Sequence, residues 1–131
     1  MRYYASLTIP AGTLASSPAS NKFSVSAGRI TEIELLFPPG PAGLAYLQIW
    51  YNARQIYPTS IGEYFRGDDH LINWNDQYDL VDEPYELELR GWSPDAIYEH
   101  TIYVQCTIQP RELVPALDLS AAPAAALETE A

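Results

Sequence analysis

The residues best suited to acid–base, nucleophilic or metal chemistry are His70, His100, Cys106 and seventeen acidic side chains. His100 and Cys106 fall on one parity of an alternating segment, six residues apart, which at strand rise is about 20 Å. That is too far for a nucleophile and its base, so both read as packing residues, the usual station of a free cysteine. Asp68-Asp69-His70, followed by Asp76, Asp79, Asp82 and Glu83, offers the oxygen ligands that suit a hard cation such as Ca²⁺. The D-x-[DN]-x-[DN]-G spacing of an EF-hand is absent, and a solvated acidic surface explains the cluster equally well. No serine stands in a G-x-S-x-G elbow, and there is no phosphate loop or dinucleotide fingerprint. The expectation is a protein that is not an enzyme, with no catalytic residue, no cofactor and no metal.

Trp50, Trp74 and Trp92, among ten tyrosines, suggest a different kind of work. Their rings suit stacking on sugars, and they suit sheet cores and protein interfaces just as well. Trp92 shares its parity with Glu86, Glu88 and Arg90 and is expected to point outward. Trp74 and Trp92 are therefore candidate partner-binding residues, with a carbohydrate- or receptor-binding module as the alternative that uses Trp50, Trp74 or Trp92.

Alternation of period two decides what must position these groups, because it places every second side chain on one sheet face. Tyr85–Arg90 alternates apolar with charged residues. From Ile97 to Gln109, Tyr98, His100, Ile102, Val104, Cys106 and Ile108 share a face. Both segments are expected as central strands. Tyr3, Ala5, Leu7 and Ile9 line a first strand, and Phe23, Val25 and Ala27 a second, with Gly28 as a turn. Thr31, Ile33, Leu35 and Phe37 line a third, which Pro38-Pro39-Gly40-Pro41 ends by removing backbone donors. Leu44–Tyr51 is apolar on both faces, and Asn52-Ala53 is placed to close a hairpin onto Arg54–Tyr57. Residues 58–84 hold most of the turn residues and at least one strand near His70–Trp74. About eight short strands with turn signals between them define an all-β chain, a single antiparallel β-sandwich of jelly-roll-like type over residues 1–109.

Residues 110–131 differ: rich in Pro and Ala and poor in bulky side chains, they cannot bury enough surface to make a second domain. They read as an extended C-terminal arm, reaching up to about 70 Å. Holding some twenty residues still costs on the order of 20–40 kcal/mol. An ordered arm therefore lies against a neighbouring subunit or another protein, and Leu113, Val114, Leu117, Leu119 and Leu127 are its candidate partner-binding residues.

Charge narrows the partners. The net charge is −10, which disfavours nucleic acid, whose phosphates need clustered Lys and Arg. It is also uneven: residues 63–99 carry eleven acidic groups against Arg66 and Arg90, a surface that attracts basic partners. One cysteine excludes an intrachain disulfide and suits a reducing compartment. No apolar run has the length of a signal peptide or a membrane span, so no membrane partner is expected.

The order of Ile9-Pro10-Ala11-Gly12-Thr13, Phe37-Pro38-Pro39-Gly40, Gln55-Ile56-Tyr57-Pro58, Gly91-Trp92-Ser93-Pro94 and Tyr98-Glu99-His100-Thr101 resembles that of small β-sandwich virion proteins of tailed bacteriophages, in particular capsid decoration (cement) proteins. The resemblance covers about residues 3–109 and carries over no functional residue. It implies a virion structural protein on the capsid surface, assembled in the bacterial host cytoplasm. Such a protein binds the major capsid protein or another virion protein, stabilises the head lattice and forms a homotrimer at local threefold positions.

Overall fold

A computed structural model describes residues 1–110, and these form nine β-strands and no helix. The strands are β1 (Arg2–Ile9), β2 (Ala19–Ser24), β3 (Gly28–Phe37), β4 (Tyr46–Tyr51), β5 (Arg54–Tyr57), β6 (Phe65–Arg66), β7 (His70–Leu80), β8 (Glu86–Trp92) and β9 (His100–Pro110). Two antiparallel sheets pack against each other. Sheet A has the order β1-β9-β3-β7, and sheet B the order β2-β8-β4-β5, with the two-residue β6 also paired to β4. Pro110, the first residue of the proposed arm, ends β9; the rest of the arm, with Leu113, Val114, Leu117, Leu119 and Leu127, lies outside the described residues.

The core fills the space between the sheets with the inward parity of each strand. β9 contributes Ile102, Val104, Cys106 and Ile108, β8 contributes Leu87 and Leu89, and β1 contributes Leu7 and Ile9. Each fully buried Leu or Ile is worth about 1.5–3 kcal/mol. β8 and β9 are central in their sheets because both neighbours pair with them along nearly their whole length.

Four details depart from the alternation. In β3 the register shifts between Ile30 and Glu32, a β-bulge. The extra residue moves Thr31 out of phase, so Ile30 rather than Thr31 joins Ile33, Leu35 and Phe37 in the core. The second strand ends at Ser24, so Val25 and Ala27 belong to the link into β3. Gly28 makes no turn there: it opens β3 opposite Pro110, and a Cβ on it would sit 2.0 Å from the Gln109 carbonyl oxygen. β9 begins at His100, which leaves Ile97 and Tyr98 exposed on the preceding loop rather than on a strand face.

β7 is far longer than His70–Trp74. Its turn-type residues Asn73, Asn75, Gln77 and Asp79 alternate outward, while Ile72, Trp74, Tyr78 and Leu80 face the other sheet. The same parity carries Asp76 inward, and the register opposite Thr31 holds an extra residue between Asn75 and Tyr78. An inward carboxylate and a bulge on an edge strand are two devices that stop another chain from pairing there.

Candidate functional site

Three regions of the described body collect groups suited to recognition. The first is the solvent face of sheet A. Leu71 stands opposite Leu36, and Leu36 opposite Tyr103, while Tyr103 stands opposite Ser6, with Tyr4 on its diagonal. Leu71 is 53%, Leu36 40%, Tyr103 49% and Tyr4 69% exposed. An apolar row thus crosses all four strands on the side that faces water. The next rows are polar and satisfied among themselves. Arg2 donates to Glu32 at 2.7 Å and to Gln105 at 3.0 Å. Asn73 donates to Glu32 and Glu34 at 3.1 and 3.0 Å.

The second is the solvent face of sheet B. Tyr46 pairs with Trp92, and Tyr64 packs against both, at centroid distances of 4.7 and 5.7 Å. One row on, the Arg90 guanidinium lies 3.8 Å from the centre of the Trp50 ring. Arg90 also donates to Glu88 at 3.0 Å, and Ser20 donates to the same carboxylate at 2.7 Å. Partial burial raises the Glu88 carboxyl, but these donors outweigh it and hold it below its ordinary value. Gln48, also outward, is buried because its amide donates to the Glu63 carbonyl at 2.9 Å, so the loop after β5 covers part of this face.

The third region is the side wall where edge strand β7 meets β5 and β6. Trp74 lies near-parallel to Phe65, with centroids 5.1 Å apart, and Tyr57 meets it edge-on at 5.3 Å. Beside them opens a cleft of about 340 Å³ lined by Tyr57, Pro58, Thr59, Phe65, Trp74, Asn75 and Asp76. The Tyr57 hydroxyl donates to Asp76 Oδ2 at 2.6 Å, and the Gln77 amide donates to Oδ1 at 2.8 Å. Burial, then the adjacent carboxylate, raise the Tyr57 phenol far above its ordinary value, so it stays a donor.

The two Trp residues expected to bind partners therefore do not meet. Trp92 points outward on sheet B, as its parity required, and Trp50 shares that face. Trp74 faces between the sheets, where edge strand β7 meets β5 and β6. The acidic residues of the loop-rich region are likewise dispersed. Asp68 accepts from the Gly40 and Ala42 amides at 2.8 and 3.0 Å, Asp76 from Tyr57, and Asp79 from Arg29 at 2.7 Å. Among the described residues no three His, Cys, Asp or Glu gather as a metal-binding group. His100 is half-buried and Cys106 buried in the core.

Sequence reasoning missed the row on sheet A and the cleft. The row had a signal: with Glu32 and Glu34 outward, Leu36 is outward too, an apolar residue on a polar parity. No family model matches this chain, and no curated protein matches it either.

Proposed function

We propose that this chain is a non-enzymatic virion structural protein, a capsid decoration or cement protein that binds the major capsid protein and stabilises the head lattice. The observation that carries the reading is the exposed row Leu71, Leu36, Tyr103 and Tyr4 on sheet A. Contiguous apolar side chains on a solvent face lower their free energy when a partner covers them. The net charge of −10 selects a partner whose contact surface is basic. A shell protein with an apolar strip rimmed by Lys and Arg fits both properties.

The strand orders support a jelly roll. Successive strands change sheets, β1 in A, β2 in B, β3 in A, β4 and β5 in B, β7 in A, β8 in B and β9 in A. This interleaving is that of two Greek keys, an architecture used by viral capsid and lectin domains. The reading extends to a homotrimer on the capsid surface, assembled in the bacterial cytoplasm.

The test is sedimentation of phage particles from producing bacteria, with this chain supplied as wild type or as Leu36→Asp/Leu71→Asp. The wild-type chain is expected to pellet with the shells and the variant to stay behind. Equal pelleting of both removes the role of the row. Absence of the wild-type chain from the shells removes the reading.

A further inference from the structure

We infer that the side-wall cleft between β7 and the β5–β6 connection is a binding site for a neutral saccharide ring, separate from the assembly surface on sheet A. Its size, about 340 Å³, falls at the small end of ligand sites, roughly 300–1,000 Å³, and so fits a ligand of one or two rings. Its chemistry is divided as a sugar's is. Phe65 and Trp74, stacked on each other at 29°, both line the cleft and offer it apolar ring surface, against which the C–H face of a pyranose packs. Asp76, Asn75 and Thr59 supply acceptors and donors beside that wall for the ring hydroxyls.

The lining also excludes other classes. No Lys, Arg or His lines the cleft, so an anionic ligand would meet the Asp76 carboxylate with nothing to offset the repulsion. A purely apolar ligand would strip water from Asp76 and Asn75 without replacing their hydrogen bonds. An organic cation is held best where several ring faces are turned on it together; here Trp74 is stacked on Phe65 and Tyr57 meets it edge-on at 74°, so the rings form no such cage.

The carboxylate is also held in advance. It offers about four lone-pair positions, and the Tyr57 hydroxyl and Gln77 amide occupy two of them. Tyr57 is only 2% exposed and fixes its partner from within the core. A ligand that donates two adjacent hydroxyls to the remaining positions pays little ordering entropy at the protein's side. Such hydrogen bonds to an ionised acceptor are roughly twice as strong as neutral ones.

The experiment titrates the full chain with the methyl glycosides of glucose, galactose, mannose and N-acetylglucosamine, followed by tryptophan fluorescence and saturation-transfer NMR. Choline chloride and sodium acetate serve as cationic and anionic probes. The expected result is saturable binding of at least one glycoside and of neither ion. Trp74→Ala abolishes it, and Asp76→Asn, whose single carbonyl oxygen still accepts from Tyr57 or from the Gln77 amide, weakens it about tenfold. Binding of no glycoside, binding of choline instead, or binding retained in Trp74→Ala and lost in Trp92→Ala each overturns the assignment.

Discussion

Cys106 stands between Tyr3 of β1 and Ile33 of β3, 1% exposed, and burial pushes its thiol up to about 12. The thiolate is the reactive form, so this side chain is inert in the folded protein. Ellman's reagent at pH 8 is expected to find no thiol in the native chain and one after denaturation; rapid native titration would contradict the burial. Asp68 is the opposite case, exposed and engaged. The amides of Ala42 and then Gly40 hold its carboxyl below the ordinary value. A carboxyl lowered in the folded state stabilises above its unfolded pKa, about 3.9, and that contribution is lost as pH falls through the lower folded value. Asp68→Asn should therefore have a flatter melting temperature between pH 5 and 2 than the wild type. Parallel curves for the two proteins would show that the loop bonds carry no linkage. At this scale the sequence indicated parity well, which placed Trp92 outward, but not company. Tyr57, Phe65 and Trp74 come from three strands in two sheets and meet only through packing between layers.

The hairpin between β4 and β5 turns on Asn52 and Ala53, both left-handed, at φ 50° and 62°. Two such residues make the turn whose twist matches the strands it joins, and glycine is the usual second residue. A left-handed alanine costs about 1–2 kcal/mol, while glycine gives back about 0.4–1 through the freer unfolded chain. Ala53→Gly is thus expected to stabilise by about 0.5–1 kcal/mol, read as a higher urea midpoint; a lower midpoint would contradict the strain. Gly91 on β8 works the other way. A Cβ there would lie 2.6 Å from Ile9 Cδ1, 2.8 Å from Leu7 Cδ2 and 2.9 Å from the Tyr46 carbonyl oxygen. The side-chain ends can shift but the carbonyl is held in the β4–β8 ladder, so Gly91→Ala should destabilise by about 1–3 kcal/mol. An unchanged urea midpoint would mean the sheets separate at no cost. β8 and β9 were legible because apolar residues recur at every second position along most of each, between charged residues in β8 and mainly polar ones in β9. β7 was half hidden, since Asn73, Asn75, Gln77 and Asp79 look like turn residues until they are seen to share one outward parity. The bulges were not legible, because an inserted residue such as Thr31 leaves no compositional mark.

At the scale of the molecule, surface rather than core distinguishes the protein. A row of apolar side chains crosses the solvent face of one sheet, an aromatic face with Arg90 over Trp50 covers the other, and a ring-lined cleft opens at the side. A net negative charge draws a basic partner faster at low salt, since charges more than about 8–10 Å apart are screened at physiological ionic strength. Particle association should accordingly slow as salt is raised, with the apolar row retaining the complex once formed. The two-sheet body was readable from spacing alone; of the row only the outward parity of Leu36 was, because its alignment with Leu71 and Tyr103 depends on which strands lie beside β3 and in what register. The most direct measurement is cryo-electron microscopy of particles carrying this chain. Two-sheet bodies are expected on the outside of the shell, with the Leu71, Leu36 and Tyr103 face of sheet A turned onto it. Shells without such bodies, or bodies seated by sheet B with the row left open to solvent, would contradict that expectation.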